Sequence, residues 1–128
     1  MLIDKKLNRL VICNQRTVAW SDDDGANWST PENNVHILTA TTNHGNLYKF
    51  DGKYYYGAGS DSNCRLYSSD DLLTWTNVTP SSDFYQFVSN AASSYKSLIA
   101  IDYNQDNLRK LSKHTTTWTA CTYPAGST

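Results

Sequence analysis

Three consecutive carboxylates followed by glycine stand between Ser21 and Trp28, in the stretch SDDDGANW. Residues of these types at this spacing could bind calcium, form a catalytic carboxylate cluster or build a tight turn. A calcium loop ending here would need an acidic residue where Trp20 stands and a terminal glutamate where Pro31 stands. The pattern therefore favours a structural turn, in which the serine and aspartate side chains hydrogen bond to the turn backbone and the glycine takes a positive φ.

The cysteines and histidines have no spacing that is typical of metal ligands. Cys13, Cys64 and Cys121 contain no C-x-x-C pair, and their odd number argues against a disulfide framework. We therefore expect no metal and no cofactor.

The composition indicates an all-β chain. Asn, Ser, Thr and Tyr are abundant, whereas Glu and Met each occur once, so turn and strand formers outweigh helix formers. A net charge of −1 without basic runs predicts neither nucleic-acid nor membrane partners. No apolar stretch reaches the ~20 residues of a membrane span, and charges near the start argue against a signal peptide. This composition is typical of tail and fibre proteins, which predicts association with a virus or phage particle.

Three turn-like segments recur along the chain, each ending in tryptophan. They are SDDDGANW, SSDDLLTW and SKHTTTW, and they end at Trp28, Trp75 and Trp118. Successive tryptophans are therefore separated by between forty and fifty residues, which is the length of one four-stranded propeller blade. The spacing predicts a single domain of three repeats, about 1–34, 35–82 and 83–128, each with four short strands.

The first segment resembles the Asp-box of sialidase-like propellers (the BNR repeat), Ser-x-Asp-x-Gly-x-x-Trp. The second segment carries Leu72 where glycine is expected, and the third is one residue shorter. The resemblance implies nine structural positions: Ser21, Asp23, Gly25, Trp28, Ser68, Asp70, Trp75, Ser112 and Trp118. Trp28 and Trp75 are expected to fold back under their hairpins and to be buried.

Three blades leave two bare apolar faces, which soluble proteins do not tolerate. Two copies would close a six-bladed ring, so the resemblance predicts a homodimer. A monomeric β-trefoil, which also has three repeats of four strands, is the alternative fold.

The residues that the resemblance would require for sialidase catalysis are missing. No Arg-Ile-Pro element occurs, and Glu32 is the only glutamate. Arg65 and Arg109 occupy equivalent places in two repeats, which favours a structural role over a substrate clamp. Because no pair of carboxylates can be assigned to sugar hydrolysis, we expect no enzyme.

With catalysis set aside, the predicted function is ligand binding, on the propeller face opposite the Asp-boxes. Loops between second and third strands and between repeats combine amides, carboxylates and aromatic rings, which suit sugars. The predicted glycan-binding residues are His44, Asp61, Asn63, Tyr85, Asn104 and Asp106. A structural or protein-interaction propeller without a small ligand is the main alternative, and a degenerate glycosidase is a further one.

Overall fold

Strands are the only regular secondary structure in the part of the chain that the structure describes. The computed structural model describes residues 1–14, 17–31, 46–58, 65–79, 84–88, 97–102 and 108–121. Its strands are β1 Leu2–Asp4, β2 Arg9–Cys13, β3 Val18–Ser21, β4 Asn46–Phe50, β5 Lys53–Ala58, β6 Arg65–Ser69, β7 Thr76–Asn77, β8 Phe84–Val88, β9 Ser97–Asp102, β10 Leu108–Ser112 and β11 Trp118–Cys121. No helix within these ranges could cross a membrane. The predicted all-β class is confirmed.

The strands form three antiparallel sheets, each built from strands that are consecutive in sequence. Sheet 1 has the order β1-β2-β3, sheet 2 the order β4-β5-β6-β7 and sheet 3 the order β8-β9-β10-β11. Each sheet falls within one of the three repeats that the tryptophan spacing predicts. The connections are simple meanders, so each repeat can fold from local contacts.

Sheet 1 differs from the prediction of four strands in every repeat. After its turn the chain makes one antiparallel bridge, in which Trp20 and Ser29 exchange both backbone hydrogen bonds, at 3.0 and 2.8 Å. The next hydrogen-bonded pair of this ladder would join Val18 to Pro31, and proline has no N–H to donate. The described part of the first repeat therefore has three strands and one bridge, and the four-strand prediction is wrong there.

Two apolar clusters lie between consecutive sheets. Sheets 1 and 2 share Val11, Val18, Trp20, Tyr54, Tyr56 and Leu72. Sheets 2 and 3 share Phe50, Tyr55, Leu66, Leu98 and Leu111. Sheet 2 is covered on both faces because successive side chains of a strand point to opposite faces. In β5 the first and third tyrosines of Tyr54-Tyr55-Tyr56 enter one cluster, and the second enters the other.

The two ends of each sheet carry different connections. Because consecutive strands are antiparallel, the β1–β2 turn and the turn after β3 lie at one end of sheet 1, and the β2–β3 connection lies at the other. We call these the turn end and the loop end, and the same division holds for sheets 2 and 3. The turn ends of neighbouring sheets are aligned, since the backbone N–H of His114 donates to the Asp51 carboxylate at 2.7 Å.

Candidate functional site

Most of the predicted glycan-binding residues lie outside the described residues: His44, Asp61, Asn63, Asn104 and Asp106. Tyr85 lies within β8 and not in the inter-repeat loop where the sequence places it. Phe84, Phe87 and Val88 of the same segment are aromatic or β-branched, which favours a strand over a loop. The register between β8 and β9 shifts between Phe84 and Gln86, so Tyr85 lies at an irregularity of the ladder, where strands bend.

The described edge of the loop end is held by a side chain from the neighbouring sheet. The backbone N–H of Thr17 donates to Asn14 Oδ1 at 2.9 Å, and the Asn14 N–H donates to the Thr17 carbonyl at 3.0 Å. The hydroxyl of Tyr56, which is fully buried, donates to the Asn14 carbonyl at 2.6 Å. Burial raises the pKa of Tyr56, so the hydroxyl stays protonated at neutral pH. Sheet 2 thus fixes the base of the first loop.

At the turn end, the turn after β3 is closed by its own side chains. Ser21 Oγ accepts from the Gly25 N–H at 2.9 Å, and Asp23 Oδ1 accepts from the Asn27 N–H at 2.8 Å. The indole N–H of Trp28 donates to the Gly25 carbonyl at 3.1 Å, and Gly25 has φ +89°. The side-chain and backbone hydrogen bonds from Asn27 lower the pKa of Asp23. Asp23 is therefore an ionised acceptor for the turn.

The second turn uses residues one position later than the sequence pattern suggests. Ser69 Oγ accepts from the Leu72 N–H at 2.8 Å, and Asp71 Oδ1 accepts from the N–H groups of Leu73 and Thr74, both at 2.9 Å. These are the bonds that the prediction gave to Ser68 and Asp70. The shift arises because this turn is one residue shorter than the first between its serine and its tryptophan.

The two residues named in the prediction have other contacts in the second repeat. Ser68 pairs with Tyr55 and Thr76 inside the β-ladder. Asp70 is exposed and forms an ion pair with Lys53 at 3.2 Å. Neither side chain closes the turn.

Leu72 occupies the position in the second turn that Gly25 occupies in the first, and it has the same left-handed backbone conformation. Its φ is +69°, and its side chain is fully buried between sheets 1 and 2. A left-handed backbone costs a leucine about 1–2 kcal/mol, whereas full burial of the side chain contributes about 1.5–3 kcal/mol. Burial therefore offsets the strain that the missing glycine would have avoided.

In the third turn, the position of the turn serine is occupied by Leu111. Leu111 is buried against sheet 2, as Ser69 is buried against sheet 1, while Ser112 is partly exposed. The positive φ follows three residues after Leu111, at His114, just as Leu72 follows Ser69. Ser112, which the prediction named, is therefore displaced by one position.

The three turn tryptophans differ in burial, and the prediction that Trp28 is buried is wrong. Trp28 is 43% exposed. Trp75 packs on the cluster between sheets 1 and 2, and its ring meets Tyr56 edge-on at 6.2 Å. Trp118 packs on the second cluster and donates its indole N–H to the Val78 carbonyl at 3.0 Å. Trp28 lies on the outer face of sheet 1, which no described sheet covers.

A polar cluster that the sequence interpretation missed joins sheets 1 and 2 at the turn end. Asp4 is 4% exposed, and its carboxylate accepts from the Tyr54 hydroxyl at 2.5 Å and from Lys49. Lys49 Nζ also lies 4.5 Å from the centre of the Tyr54 ring. The sequence did indicate that these side chains point inward, because residues two apart in a strand lie on the same face of the sheet. Asp4 is two residues from inward-facing Leu2, and Lys49 is two residues from inward-facing Leu47.

The protonation of this cluster suits a clamp between sheets and does not suit catalysis. Burial alone would raise the pKa of Asp4, but hydrogen bonds from Lys49 and Tyr54 outweigh it and the pKa is lowered. Burial and the bond to Asp4 raise the pKa of Tyr54 to about 12. At neutral pH the pair is a carboxylate and a neutral phenol, whereas a tyrosine nucleophile or a carboxylic acid would need the opposite shifts. Tyr54 is also only 1% exposed.

A second ion pair at the turn end joins Arg9 to Asp22. Arg9 forms a bidentate pair with Asp22, with Nε–Oδ1 at 2.5 Å and Nη2–Oδ2 at 2.9 Å. The guanidinium carbon of Arg9 lies 6.0 Å from the centre of the Trp20 ring. Among the described residues, no group of three His, Cys, Asp or Glu side chains could hold a metal ion.

Stacked antiparallel meander sheets with apolar clusters between consecutive sheets are the arrangement of blades in a β-propeller. A family model described as the DUF6242 beta propeller domain matches residues 5–126, and the chain belongs to this family. The β-trefoil alternative is therefore wrong. No curated protein and no solved structure is a significant match to the chain.

Proposed function

We propose that the chain is a non-catalytic, Asp-box type propeller that binds glycans at its loop end and completes its ring with a second copy. The Asp-box assignment is supported by the first turn, where Ser21, Asp23 and Gly25 have the hydrogen bonds and the φ that such a turn requires. The virus or phage origin stays a prediction from composition alone.

The observation that carries this proposal is that the charged side chains of the described ion pairs at the turn end bind each other. Described ion pairs there are internal: Arg9 with Asp22, Lys49 with Asp4, and Lys53 with Asp70. Side chains that already bind each other would have to exchange those partners for a ligand. A ligand site is therefore favoured at the loop end, where Tyr56 holds the base of the first loop in place.

The non-catalytic part of the proposal is supported by the only described pairing of a buried carboxylate with a tyrosine. Asp4 and Tyr54 are 4% and 1% exposed, so a sugar cannot reach them without separating sheets 1 and 2. Their protonation states also oppose acid or nucleophilic chemistry at neutral pH.

The second candidate function is an interaction propeller without a small ligand. Large apolar side chains on the outer face of sheet 1 favour it, since Ile3 and Trp28 are 57% and 43% exposed. The two functions differ in whether the loop end binds a glycan.

A glycan array separates the two functions. The wild type should bind a subset of glycans, and paired weak sites in a dimer should favour multivalent ones. Tyr85→Ala and Asp61→Ala should each abolish the signal without changing the melting temperature. Lys53→Ala, at the exposed turn end, is the matched control and should bind as the wild type does. A wild type that binds no glycan on a broad array would remove the glycan proposal and leave the interaction propeller.

A further inference from the structure

Each sheet has a leading face, which points toward the preceding sheet in the chain, and a trailing face, which points toward the following one. The residue of the second strand opposite the start of the turn lies on the leading face in all three sheets: Leu10 opposite Ser21, Tyr54 opposite Ser69 and Leu98 opposite Leu111. Tyr54 is 1% exposed and Leu98 0%, because a preceding sheet covers each. Leu10, whose face no described sheet covers, remains partly exposed.

The next residue of each second strand lies on the trailing face and shows the mirror pattern. Val11 is 0% exposed and Tyr55 5%, because a following sheet covers each. Ile99 is the equivalent residue of sheet 3, and it is partly exposed. The two ends of the three-sheet stack therefore carry complementary halves of the same kind of junction.

The burial of the turn tryptophans also depends on whether the leading face of their sheet is covered. Trp75 and Trp118 pack on the clusters that their sheets share with the preceding sheet. Trp28 is 43% exposed, and so is Ile12 at 37%, on the leading face of sheet 1. Ile12 is equivalent to Tyr56, which is 0% exposed in the junction of sheets 1 and 2.

We propose that the leading face of sheet 1, formed by Ile3, Leu10, Ile12 and Trp28, packs on the trailing face of sheet 3 of a second copy. Ile99, which is partly exposed on that trailing face, would pack on Ile12, because their equivalents Val11 and Tyr56 belong to the same apolar cluster within the chain. This inference rests on the two-copy ring of the proposed function and is independent of glycan binding.

A second copy is the occupant because one chain supplies both surfaces that the junction needs. A head-to-tail contact of this kind either closes into a ring or continues as a filament. Two copies bring the count to six blades, a number at which propellers close. Both junctions are then identical by the two-fold axis, and together they should bury more than roughly 2,000 Å², as obligate dimers do.

The solution mass is the first test. The wild type should have twice the monomer mass of 14.4 kDa by light scattering at micromolar concentration. Ile12→Glu places a charge in both junctions at once and should reduce the mass to that of the monomer. Leu73→Glu is the matched control, since Leu73 is 43% exposed but lies in the second turn, and its mass should stay dimeric. Circular dichroism checks that both variants remain folded.

Mixing two variants tests which faces meet. Ile12→Glu alone and Ile99→Lys alone should both be monomeric. Their mixture should dimerise, because one junction is then wild type and the other places glutamate against lysine. A monomeric wild type would overturn both the ring and this interface. A dimeric Ile12→Glu variant, or a mixture that stays monomeric, would overturn this interface alone. The result of the glycan array would still stand.

Discussion

Removing the hydroxyl of Tyr54 tests whether the polar cluster clamps sheets 1 and 2 together. The hydroxyl donates to the buried Asp4 carboxylate at 2.5 Å. Phenylalanine keeps the ring and its contact with Lys49 but leaves the carboxylate without this donor. A hydrogen bond to a charged group contributes about 1.5–3 kcal/mol, so Tyr54→Phe should lower the free energy of unfolding by about that amount.

Tyr56→Phe is the matched control for this substitution. Tyr56 is in the same strand, is equally buried and donates to a neutral acceptor, the Asn14 carbonyl, at 2.6 Å. A neutral hydrogen bond contributes about 0.5–1.5 kcal/mol. At about 4 °C per kcal/mol for a domain of this size, Tyr54→Phe should lower the melting temperature by about 6–12 °C and Tyr56→Phe by about 2–6 °C.

The pH dependence of the difference between these variants identifies the charge as its cause. The folded pKa of Asp4 is lowered, so the unfolded chain binds the proton more readily and stability rises with pH in this range. The contribution of the cluster is complete above the unfolded pKa of about 3.9 and is lost as the pH falls through the folded pKa. The two variants should therefore converge in acid. Denaturation at equal protein concentration, at neutral pH and at a series of pH values that decreases from the unfolded pKa of about 3.9, measures this. Equal costs at neutral pH, or a gap that pH does not change, would refute the clamp.

Two further predictions concern the turns. Gly25→Ala should cost about 1–2 kcal/mol through its backbone alone, because φ is +89° while an added Cβ would have ordinary contacts of 3.8 Å or more; chemical denaturation measures the cost, and an unchanged midpoint would contradict the φ argument. Leu72→Ala should cost about 2–5 kcal/mol as a large-to-small change in the core, whereas Leu73→Ala, which is 43% exposed, should cost little. Equal costs for the two leucines would contradict the shifted register of the second turn.

The sequence predicted most of the strands and the first turn, because both depend on local chemistry. Strand formers alternate with turn formers, and Ser21, Asp23 and Gly25 make hydrogen bonds within a single hairpin. The second turn was placed one residue early and the third one residue late, because the prediction aligned the serines, whereas the position of the turn depends on which face of the sheet each side chain occupies. Ser69 and Leu111 occupy the turn position because their side chains point to the buried leading face.

The candidate site was less predictable, because it depends on contacts between residues of different repeats. The pairing of Asp4 with Lys49 and Tyr54 joins residues about fifty positions apart, and no spacing rule links them. Their inward parity was visible in the sequence, but parity becomes informative only when the neighbouring sheet is known. Tyr85 was assigned to a loop because the inter-repeat boundary carries no turn glycine or tryptophan of its own.

The sequences of the strands also indicate what packs on the two end faces of the stack, which no described sheet covers. A sheet covered on one face favours alternation of polar and apolar residues, whereas a sheet covered on both faces has continuous apolar runs. The second strand of sheet 2 has such a run, Tyr54-Tyr55-Tyr56, and both of its faces are covered. The second strands of the end sheets have equivalent runs, Leu10-Val11-Ile12 and Leu98-Ile99-Ala100-Ile101. Their sequences are therefore those of central blades, which is the expected pattern if each end sheet packs on a further blade.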